Sequence, residues 1–222
     1  MISLCRKLLK RQHKRLEKRS DADLSFFSGL AIPAQILPLL FFTLLFTSTL
    51  TQAASYTIDP THTFATFEIN HFNTSTNRGR FDKKEGTLEF DRAAKTGKIA
   101  IDIYTGSVSS GTVFFDKFLT SFSMFDSTTF PTARFESSTF NFEGDKVREV
   151  SGSFTLLGKT HPLTLKATNF NCYQHPTLKR EVCGGDFEAT FDRSLYGMNY
   201  GLIFGFPKNV HLLIQVEAIK DF

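Results

Sequence analysis

The sequence predicts an all-β, antiparallel, single-domain protein, and three observations carry this prediction. From Tyr56 onward, short stretches alternate apolar and polar residues with the period of two that is typical of half-buried strands. Turn residues such as Gly, Asp and Asn separate these stretches at short intervals. No stretch has the helical pattern that a βαβ unit requires. Hairpins can therefore connect the whole β region, which contains about eight strands.

Each predicted strand ends at a recognisable turn or bend. The run of turn residues 91–97 closes the second strand, Glu143-Gly144-Asp145 forms a hairpin, and Gly158-Lys159 forms a tight two-residue turn. The inward parity changes after Phe135, which indicates a bulge near Ser137-Ser138. In chain order the predicted strands cover residues 64–71, 79–91 with a bend at Glu85-Gly86, 98–104, 132–142, 147–157, 163–167, 187–191 after Gly184-Gly185, and 210–218.

Two architectures fit these strands, a sandwich of two sheets and a closed barrel. An eight-stranded barrel has an interior just wide enough for side chains or for one elongated ligand. Some residues on the predicted inward faces are small, namely Ala65, Gly152, Ala167 and Ala189. Small inward residues leave room, so they favour a cavity, although a tapered core accommodates them as well.

The N-terminal part of the chain has the features of a secretory signal. Residues 6–19 are basic, residues 36–50 are apolar and uncharged, and the small residues Thr51 and Ala53 suit cleavage after Ala53. We predict that residues 1–54 form a signal peptide with a long basic n-region. Residues 55–222 would then form the barrel domain, in the periplasm or secreted. An uncleaved anchor is the alternative, since residues 24–57 carry no charge.

The net charge of +4 belongs to the same N-terminal part. Residues 1–55 hold eight Lys and Arg against three acids, whereas residues 56–222 hold 18 against 19. The β region has no basic excess, so we expect no nucleic-acid partner.

Cys172 and Cys183 form an even pair in a chain that we expect in an oxidising compartment. They lie on the two sides of the polar loop 173–182, so a disulfide between them would close a short loop between neighbouring strands. Such a bond contributes about 2–3 kcal/mol. Two free thiols are the alternative, and without CxxC spacing we expect neither a zinc site nor a redox site.

One aromatic stretch, residues 108–138, interrupts the strand pattern, and we call it the lid segment. Seven of its 31 residues are Phe. A loop this apolar must bury itself or cover something apolar, so we interpret it as a lid over the mouth of a barrel whose cargo is a lipid. A plug without a ligand is the alternative. If residues 112–122 form a short helix, its apolar stripe consists of Phe114, Phe115, Phe118, Leu119 and Phe122.

Few residues suggest chemistry. The sequence contains no GxSxG, HExxH or paired CxxC motif, so we assign no catalytic residue and no metal site. His71 lies on the inward parity of residues 64–71 and could place a polar tip in the lumen or at its rim. Two further pairs, Asp59 with His62 and Asp192 with Arg193, are interpreted as structural features at strand ends.

From Tyr56 to its end the chain resembles the YceI-like proteins, which are periplasmic lipocalin-like barrels associated with polyisoprenoid binding. The resemblance rests on an ordered set of short motifs, none of which is specific alone. They are YTIDPTH at 56–62, His71, GRF at 79–81, Gly86 with Phe90-Asp91, Asp116, Leu119, Phe125-Asp126, Phe130-Pro131, Phe135, Ser137-Ser138, Val150-Ser151-Gly152, LLGKTHP at 156–162, Arg193-Ser194, Tyr196 and Gly197.

Two of these motifs depart from the family pattern. The family's R-D-x-H-L in the lid reads Phe115-Asp116-Lys117-Phe118-Leu119 here, so Phe replaces both the arginine and the histidine. The lid is therefore more apolar than the pattern predicts. The family's T-K-P reads Thr160-His161-Pro162, a change in a turn with little consequence.

The resemblance implies an eight-stranded antiparallel lipocalin-like barrel with a short helical lid and an apolar lumen that holds an isoprenoid chain. It implies a non-enzymatic carrier or sequestering protein for a polyisoprenoid or an isoprenoid quinone, with no cofactor. Asp116 and His71 become candidates for head-group contact. The residues expected to contact the ligand are Phe67, Ile69, His71, Ile101, Phe114, Phe115, Asp116, Phe118, Leu119, Phe122, Phe135 and Phe154.

Other functions fit the same residues. One is an enzyme that acts on a lipid-like substrate, with His71 or Asp116 as the acid or base. Another is a packed stress-response barrel without a ligand. Transient membrane contact is compatible with a lipid carrier, and the oligomeric state stays open, with a homodimer as one option.

Overall fold

Strands dominate residues 52–222, the part of the chain that the computed structural model describes. Apart from three short 3-10 turns, the helical structure there is α1 (Val113–Thr120). The predicted signal peptide lies outside the described residues up to position 51. The strands are β1 (Ala54–Ile58), β2 (Phe64–His71), β3 (Ser75–Phe81), β4 (Lys84–Asp91), β5 (Thr96–Tyr104), β6 (Val108–Ser109), β7 (Thr132–Glu143), β8 (Lys146–Leu156), β9 (Lys159–Gln174), β10 (Glu181–Asp192) and β11 (Asn209–Lys220).

The strands form one antiparallel sheet that closes on itself. Its order is β1-β4-β5-β7-β8-β9-β10-β11, and β11 pairs back with β1, where Tyr56 lies opposite Lys220. Closure leaves no free edge in this ring, which distinguishes a barrel from a sandwich. The predicted eight-stranded antiparallel barrel is confirmed.

Two of the eight wall positions are each made of two short strands. β1 and β2 follow one another along β11, and β3 and β4 follow one another in the next position. The break between β3 and β4 falls at Asp82-Lys83. Our prediction of a bend at Glu85-Gly86 was wrong, because both residues pair with β5 inside β4. Beyond the break, β3 pairs only briefly with β6, at residues 80–81.

Apolar and polar residues alternate along the strands, so large apolar side chains point into the barrel. Inward residues of β11 include Val210, Val216 and Ala218, as predicted. In β7 the register shifts between Ser137 and Thr139, so the predicted bulge is confirmed. It moves the inward parity from Phe135 to Phe140 and Phe142, and Phe142 stacks on Phe90 with ring centroids 6.0 Å apart.

Gly152 has a different reason for being small from the one we expected. It lies in β8 opposite Ser137, beside the bulge. A Cβ there would lie 2.2 Å from the carbonyl oxygen of Glu136. The glycine therefore permits a close backbone approach, and it does not enlarge the cavity described below.

Two turn positions also differ from the prediction. The β8–β9 turn is Leu157-Gly158, with φ of 50° and 69°, so we had placed it one residue late. Both residues adopt the positive φ that two-residue hairpin turns require. Gly184-Gly185 does not precede a strand, because both glycines pair with β9 and β11 within β10.

The turns and loops segregate into two barrel ends. At the mouth lie the β2–β3 turn, α1 with residues 121–131, the β8–β9 turn and residues 193–208. The opposite end carries the β4–β5, β7–β8 and β9–β10 turns. Within residues 52–222 no helix is both long and apolar enough to cross a bilayer.

Candidate functional site

An apolar cavity lies in the mouth half of the barrel, under α1. Its volume is about 220 Å³. Side chains from most strands line it, together with Phe115, Phe118 and Leu119 of α1 and with Met124 and Phe125 just after the helix. Ten of its lining residues are Phe. The cavity therefore presents a surface suited to a hydrocarbon chain.

A second, smaller cavity of about 40 Å³ continues toward the opposite end. Four residues line both cavities: Ile101, Phe135, Leu165 and Ile214. These side chains form a constriction, below which Phe170 and Cys183 lie. The lumen thus runs past the middle of the barrel in two adjacent parts, with these four side chains between them.

Most of the predicted ligand-contact residues line the larger cavity. They are Phe67, Ile69, His71, Ile101, Phe115, Phe118, Leu119, Phe135 and Phe154. Alternation located the strand residues among them, and the helical stripe located the three from α1. The imidazole of His71 lies at the mouth, with its ring centroid 5.3 Å from that of Phe206.

Phe114 and Phe122 lie outside the cavity, contrary to our expectation. Their side chains are 87% and 86% exposed. The helix ends at Thr120, with Ser121 in an extended conformation, so Phe122 does not continue the stripe. Phe114 lies one helical step away from Phe115 and faces solvent.

Asp116 is also absent from the cavity lining. Its carboxylate accepts hydrogen bonds from the backbone N–H and the hydroxyl of Ser110, both at 2.6 Å. This contact fixes the loop that leads from β6 into α1. Asp116 and His71 therefore do not form an acid–base pair in the lumen, and Asp116 acts on the lid itself.

The lid segment is attached to the barrel by two buried side chains. Leu119 is only 2% exposed, and Phe125 packs against Phe81 and Phe67 at centroid distances of 5.2 and 6.0 Å. By contrast, Phe115 and Phe118 are half-buried and stack on one another at 6.1 Å. The helix is thus anchored at its C-terminal end, and its aromatic middle covers the cavity.

Residues 193–208 form the other side of the mouth, and the sequence did not reveal them as part of the site. Arg193, Met198, Tyr200 and Phe206 all line the cavity. The buried guanidinium of Arg193 donates to the carbonyl oxygens of Pro207 at 3.0 Å and Met198 at 2.7 Å, which ties the segment's two ends together. Burial lowers the pKa of Arg193.

Asp192 and Arg193, which we interpreted as a structural pair at a strand end, do not form a salt bridge with each other. Asp192 instead accepts hydrogen bonds from the backbone N–H of Ser194 at 2.8 Å and from its hydroxyl. The interpretation of a strand-end structural feature holds, through backbone contacts and not through a charge pair.

Exposed apolar side chains surround the mouth. On the α1 side these are Val113, Phe114 and Phe122, and on the other side Phe72, Tyr200, Ile203 and Phe204. We call these seven residues the apolar rim. The rings of Phe118 and Tyr200, 4.9 Å apart, connect its two halves. A cluster of exposed aromatic rings next to a cavity is the kind of surface that marks a contact site.

Cys172 and Cys183 are bonded to each other, directly opposite in β9 and β10. Glu181 lies beside them, with a carboxylate oxygen 3.4 Å from the sulfur of Cys183 and 2.6 Å from the hydroxyl of Tyr56. The three residues are close enough for a metal ion. Because the sulfurs are joined, however, neither is available as a thiolate ligand.

Known proteins are similar to this chain in architecture and in sequence. The model of the YceI-like domain matches residues 56–218. A UPF0312 protein of Pseudomonas putida strain F1 is 34% identical over 173 residues, which are 77% of this chain and 88% of the relative.

Two solved structures have the same fold at low identity. BcnA of Burkholderia cenocepacia superposes with a TM-score of 0.60 at 20% identity, over 72% of this chain and 98% of BcnA. A polyisoprenoid binding domain from Saccharophagus degradans gives 0.55 at 13% identity, over 76% and 99%. Such identities show the fold alone. The family match covers nearly all of the barrel, and so this chain belongs to the YceI-like family.

Proposed function

We propose that this protein binds the chain of a polyisoprenoid or an isoprenoid quinone in its barrel lumen and acts as a carrier or sequestering protein, in the periplasm or secreted. One observation carries the proposal: a Phe-rich cavity lies under an aromatic helix, with a mouth surrounded by exposed apolar residues. The polyisoprenoid binding domain from Saccharophagus degradans, which shares the fold, supports the ligand class.

The energetics suit a hydrocarbon ligand. Each CH₂ group removed from water contributes about 0.8 kcal/mol, so an isoprene unit contributes several kcal/mol as an upper estimate. Affinity then grows with chain length, without polar contacts along the chain. Length and head group are left to provide specificity.

The size of the cavity sets a condition on this function. Its 220 Å³ is below the range of about 300–1,000 Å³ that is typical of sites for drug-sized ligands. A long chain must therefore reach the second cavity or widen the first. Met124 and Met198 line the larger cavity, and unbranched thioether side chains rearrange easily. Phe115 and Phe118, which are only half-buried, can move with less cost than Leu119.

A prenyl chain that crosses water loses its apolar contacts. The apolar rim surrounds the mouth with apolar surface, so a chain that enters along it keeps such contacts. We infer that the rim contacts a lipid bilayer transiently. Residues 195–207 and 118–125 contain no charged residue. The exposed Lys208 follows the first segment, and the exposed Lys117 precedes the second, which ends before Asp126. Uncharged aromatic surface bordered by lysines suits the apolar interior and the phosphate groups of an anionic membrane.

The other functions considered above have less support. An enzyme would need titratable groups that converge in the cavity, and His71 and Asp116 are not brought together there. A packed barrel without a ligand would need side chains that fill the lumen, whereas the two cavities leave it open.

Organic extraction of the purified protein, followed by mass spectrometry, tests the proposal. We expect a prenyl lipid in the extract and a matching mass increase in the native protein. Phe118→Asp serves as the matched variant, because it places a charge at the cavity without touching the buried core, and it should yield less lipid. A protein that is free of prenyl lipid and binds none when a short-chain menaquinone is added would contradict the proposal. Cell fractionation tests the predicted export.

A further inference from the structure

One lysine occupies an inward position in the barrel wall. Lys84 is the first residue of β4, and it shares the inward parity of Leu88 and Phe90. Its side chain is 5% exposed and lines the larger cavity. Lysine is rarely buried without a partner, because an ammonium group in apolar surroundings loses its hydration.

The partners of Lys84 are few and weak. Its Nζ donates one long hydrogen bond, of 3.3 Å, to the carbonyl oxygen of Asp82 and lies 4.5 Å from the ring centroid of Phe64. Among residues 52–222, no carboxylate lies within salt-bridge distance of it. An ammonium group has three donors, so at least one lacks a protein acceptor.

Arg193 also lines this cavity, and its cation has a structural role. Its guanidinium donates to two backbone carbonyl oxygens at 3.0 and 2.7 Å and holds a loop in place. Lys84 makes no comparable set of contacts. Its position is also different: it lies at the break between β3 and β4, in the side wall, and not at the mouth.

Burial is the main influence on Lys84, and it lowers the pKa of the ammonium group. The charges of Asp82 and Asp59 raise this pKa, and the charge of Arg80 lowers it further. A ligand oxygen next to Nζ would compensate for the lost hydration. A hydrogen bond from a charged donor in apolar surroundings is stronger than one between neutral groups.

We propose that Lys84 anchors an oxygen-bearing head group of the isoprenoid inside the lumen, by donating a hydrogen bond from Nζ to a quinone carbonyl or a phosphate oxygen. The inference rests on the proposed function and adds the position of the head group. The head group then lies against the side wall and not at the mouth beside Asp116, and the prenyl chain extends from there along the Phe-lined cavity.

Calorimetric titration with three probes tests this inference: a short-chain menaquinone, geranylgeranyl monophosphate and squalene, which has no oxygen. The variant is Lys84→Met, which replaces the ammonium group by an apolar side chain of similar length. The control is Lys83→Met, because Lys83 is exposed and lies over the ring of Tyr104. The first variant should lower the affinity for the menaquinone, the phosphate or both by about ten- to a hundredfold, and the control should change none.

Squalene distinguishes the loss of the Lys84 contact from the loss of chain binding in the lumen. Squalene should bind Lys84→Met as tightly as the wild type or more tightly, since a buried charge has been removed. Equal loss for all three probes, or no loss for any, overturns the role of Lys84 while the lumen still binds prenyl chains. If the wild type binds no probe, the proposed function fails, and the inference with it.

A second variant protects the test against misfolding. Lys84→Arg keeps a cationic donor at the same place and should retain most of the affinity for whichever oxygenated probe depends on Lys84. Detection of the Lys84 Nζ resonance in ¹⁵N-lysine-labelled wild type needs no variant: it should shift when that probe is added and stay unchanged with squalene. A resonance that no oxygenated probe moves would overturn the inference.

Discussion

The ring of Phe118, on the lid helix, contacts the ring of Tyr200 edge-on, with centroids 4.9 Å apart and planes at 66°. The contact joins the two elements that border the mouth, α1 and residues 193–208. Both rings also line the cavity. A ligand that entered the cavity between these two elements would contact both rings.

Phe118→Asp should weaken the retention of a prenyl ligand more than it lowers the stability of the ligand-free protein. The side chain is half-buried and contacts the cavity, whereas the core lies deeper. We expect faster release of a bound short-chain menaquinone, measured by stopped-flow displacement, with little change in the melting temperature of the empty protein. An equally large drop in that melting temperature would make Phe118 a core residue.

Two variants bracket this result. Leu119→Ala removes a buried side chain, so it should destabilise the empty protein by about 2–5 kcal/mol in denaturant unfolding. Leu178→Asp places the same charge as Phe118→Asp at an exposed position in the β9–β10 turn, at the end opposite the mouth, and it should affect neither ligand release nor stability.

The apolar rim should determine membrane contact. Replacing Phe114 and Ile203, which are both almost fully exposed, by Ser should reduce co-sedimentation with anionic phospholipid vesicles several-fold, because each loses its apolar contact with the bilayer. The matched control is Leu178→Ser, an exposed leucine in the β9–β10 turn at the opposite end. Equal loss for Leu178→Ser, or no loss for the rim variant, would argue against docking through the mouth.

The Cys172–Cys183 bond should contribute about 2–3 kcal/mol to stability, because the sequence separation of 11 residues closes only a short loop. Denaturant unfolding of the double Cys→Ser variant, compared with the oxidised wild type, measures this. Treating the variant with a reductant provides the control, since its stability should not change further. A variant as stable as the oxidised wild type would show that the hairpin needs no covalent bond.

Asp59 and His62 form a polar turn between β1 and β2. A carboxylate oxygen of Asp59 lies 2.7 Å from Nδ1 of His62, and this hydrogen bond and charge raise the pKa of the imidazole above its ordinary value. NMR titration should therefore show a raised pKa for His62, and Asp59→Asn should lower that pKa toward the ordinary histidine value. An unchanged pKa in the variant would mean that the pair does not form in solution.

The sign of the pH effect follows from this shift. Because folding raises the pKa of His62, the pair stabilises the fold at a pH below the ordinary histidine pKa, and this contribution disappears as the pH rises through the raised pKa. His62 is exposed, so the effect on the unfolding midpoint should be small.

Alternation located most of the barrel because its physical cause is local. Phe67, Ile101 and Phe135 point inward since successive side chains in a strand face opposite sides. The bulge at Ser137 was visible for the same reason, as a change of parity between Phe135 and Phe140. The strand pattern alone could not decide between a sandwich and a barrel, because closure depends on the pairing of β1 with β11 at the two ends of the domain, and the family resemblance made that choice.

The features that were missed depend on distant contacts or on exact boundaries. A bend placed at Glu85-Gly86 instead of Asp82-Lys83 separated Lys84 from the inward parity of Leu88, so its burial was not predicted. The end of α1 at Thr120 decides that Phe122 faces solvent. Residues 193–208 belong to the site because Arg193 donates hydrogen bonds to backbone carbonyl groups within this segment. No local sequence pattern predicts these bonds.

Isotope-filtered NOE spectroscopy tests most directly whether a prenyl chain lies in the cavity beneath α1, with ¹³C-labelled protein and an unlabelled short-chain menaquinone. We predict cross-peaks from the prenyl methyl groups to the side chains of Leu119, Ile101 and Met124, which line the cavity. Cross-peaks confined to the exposed Ile203, or none to the protein, would contradict the account.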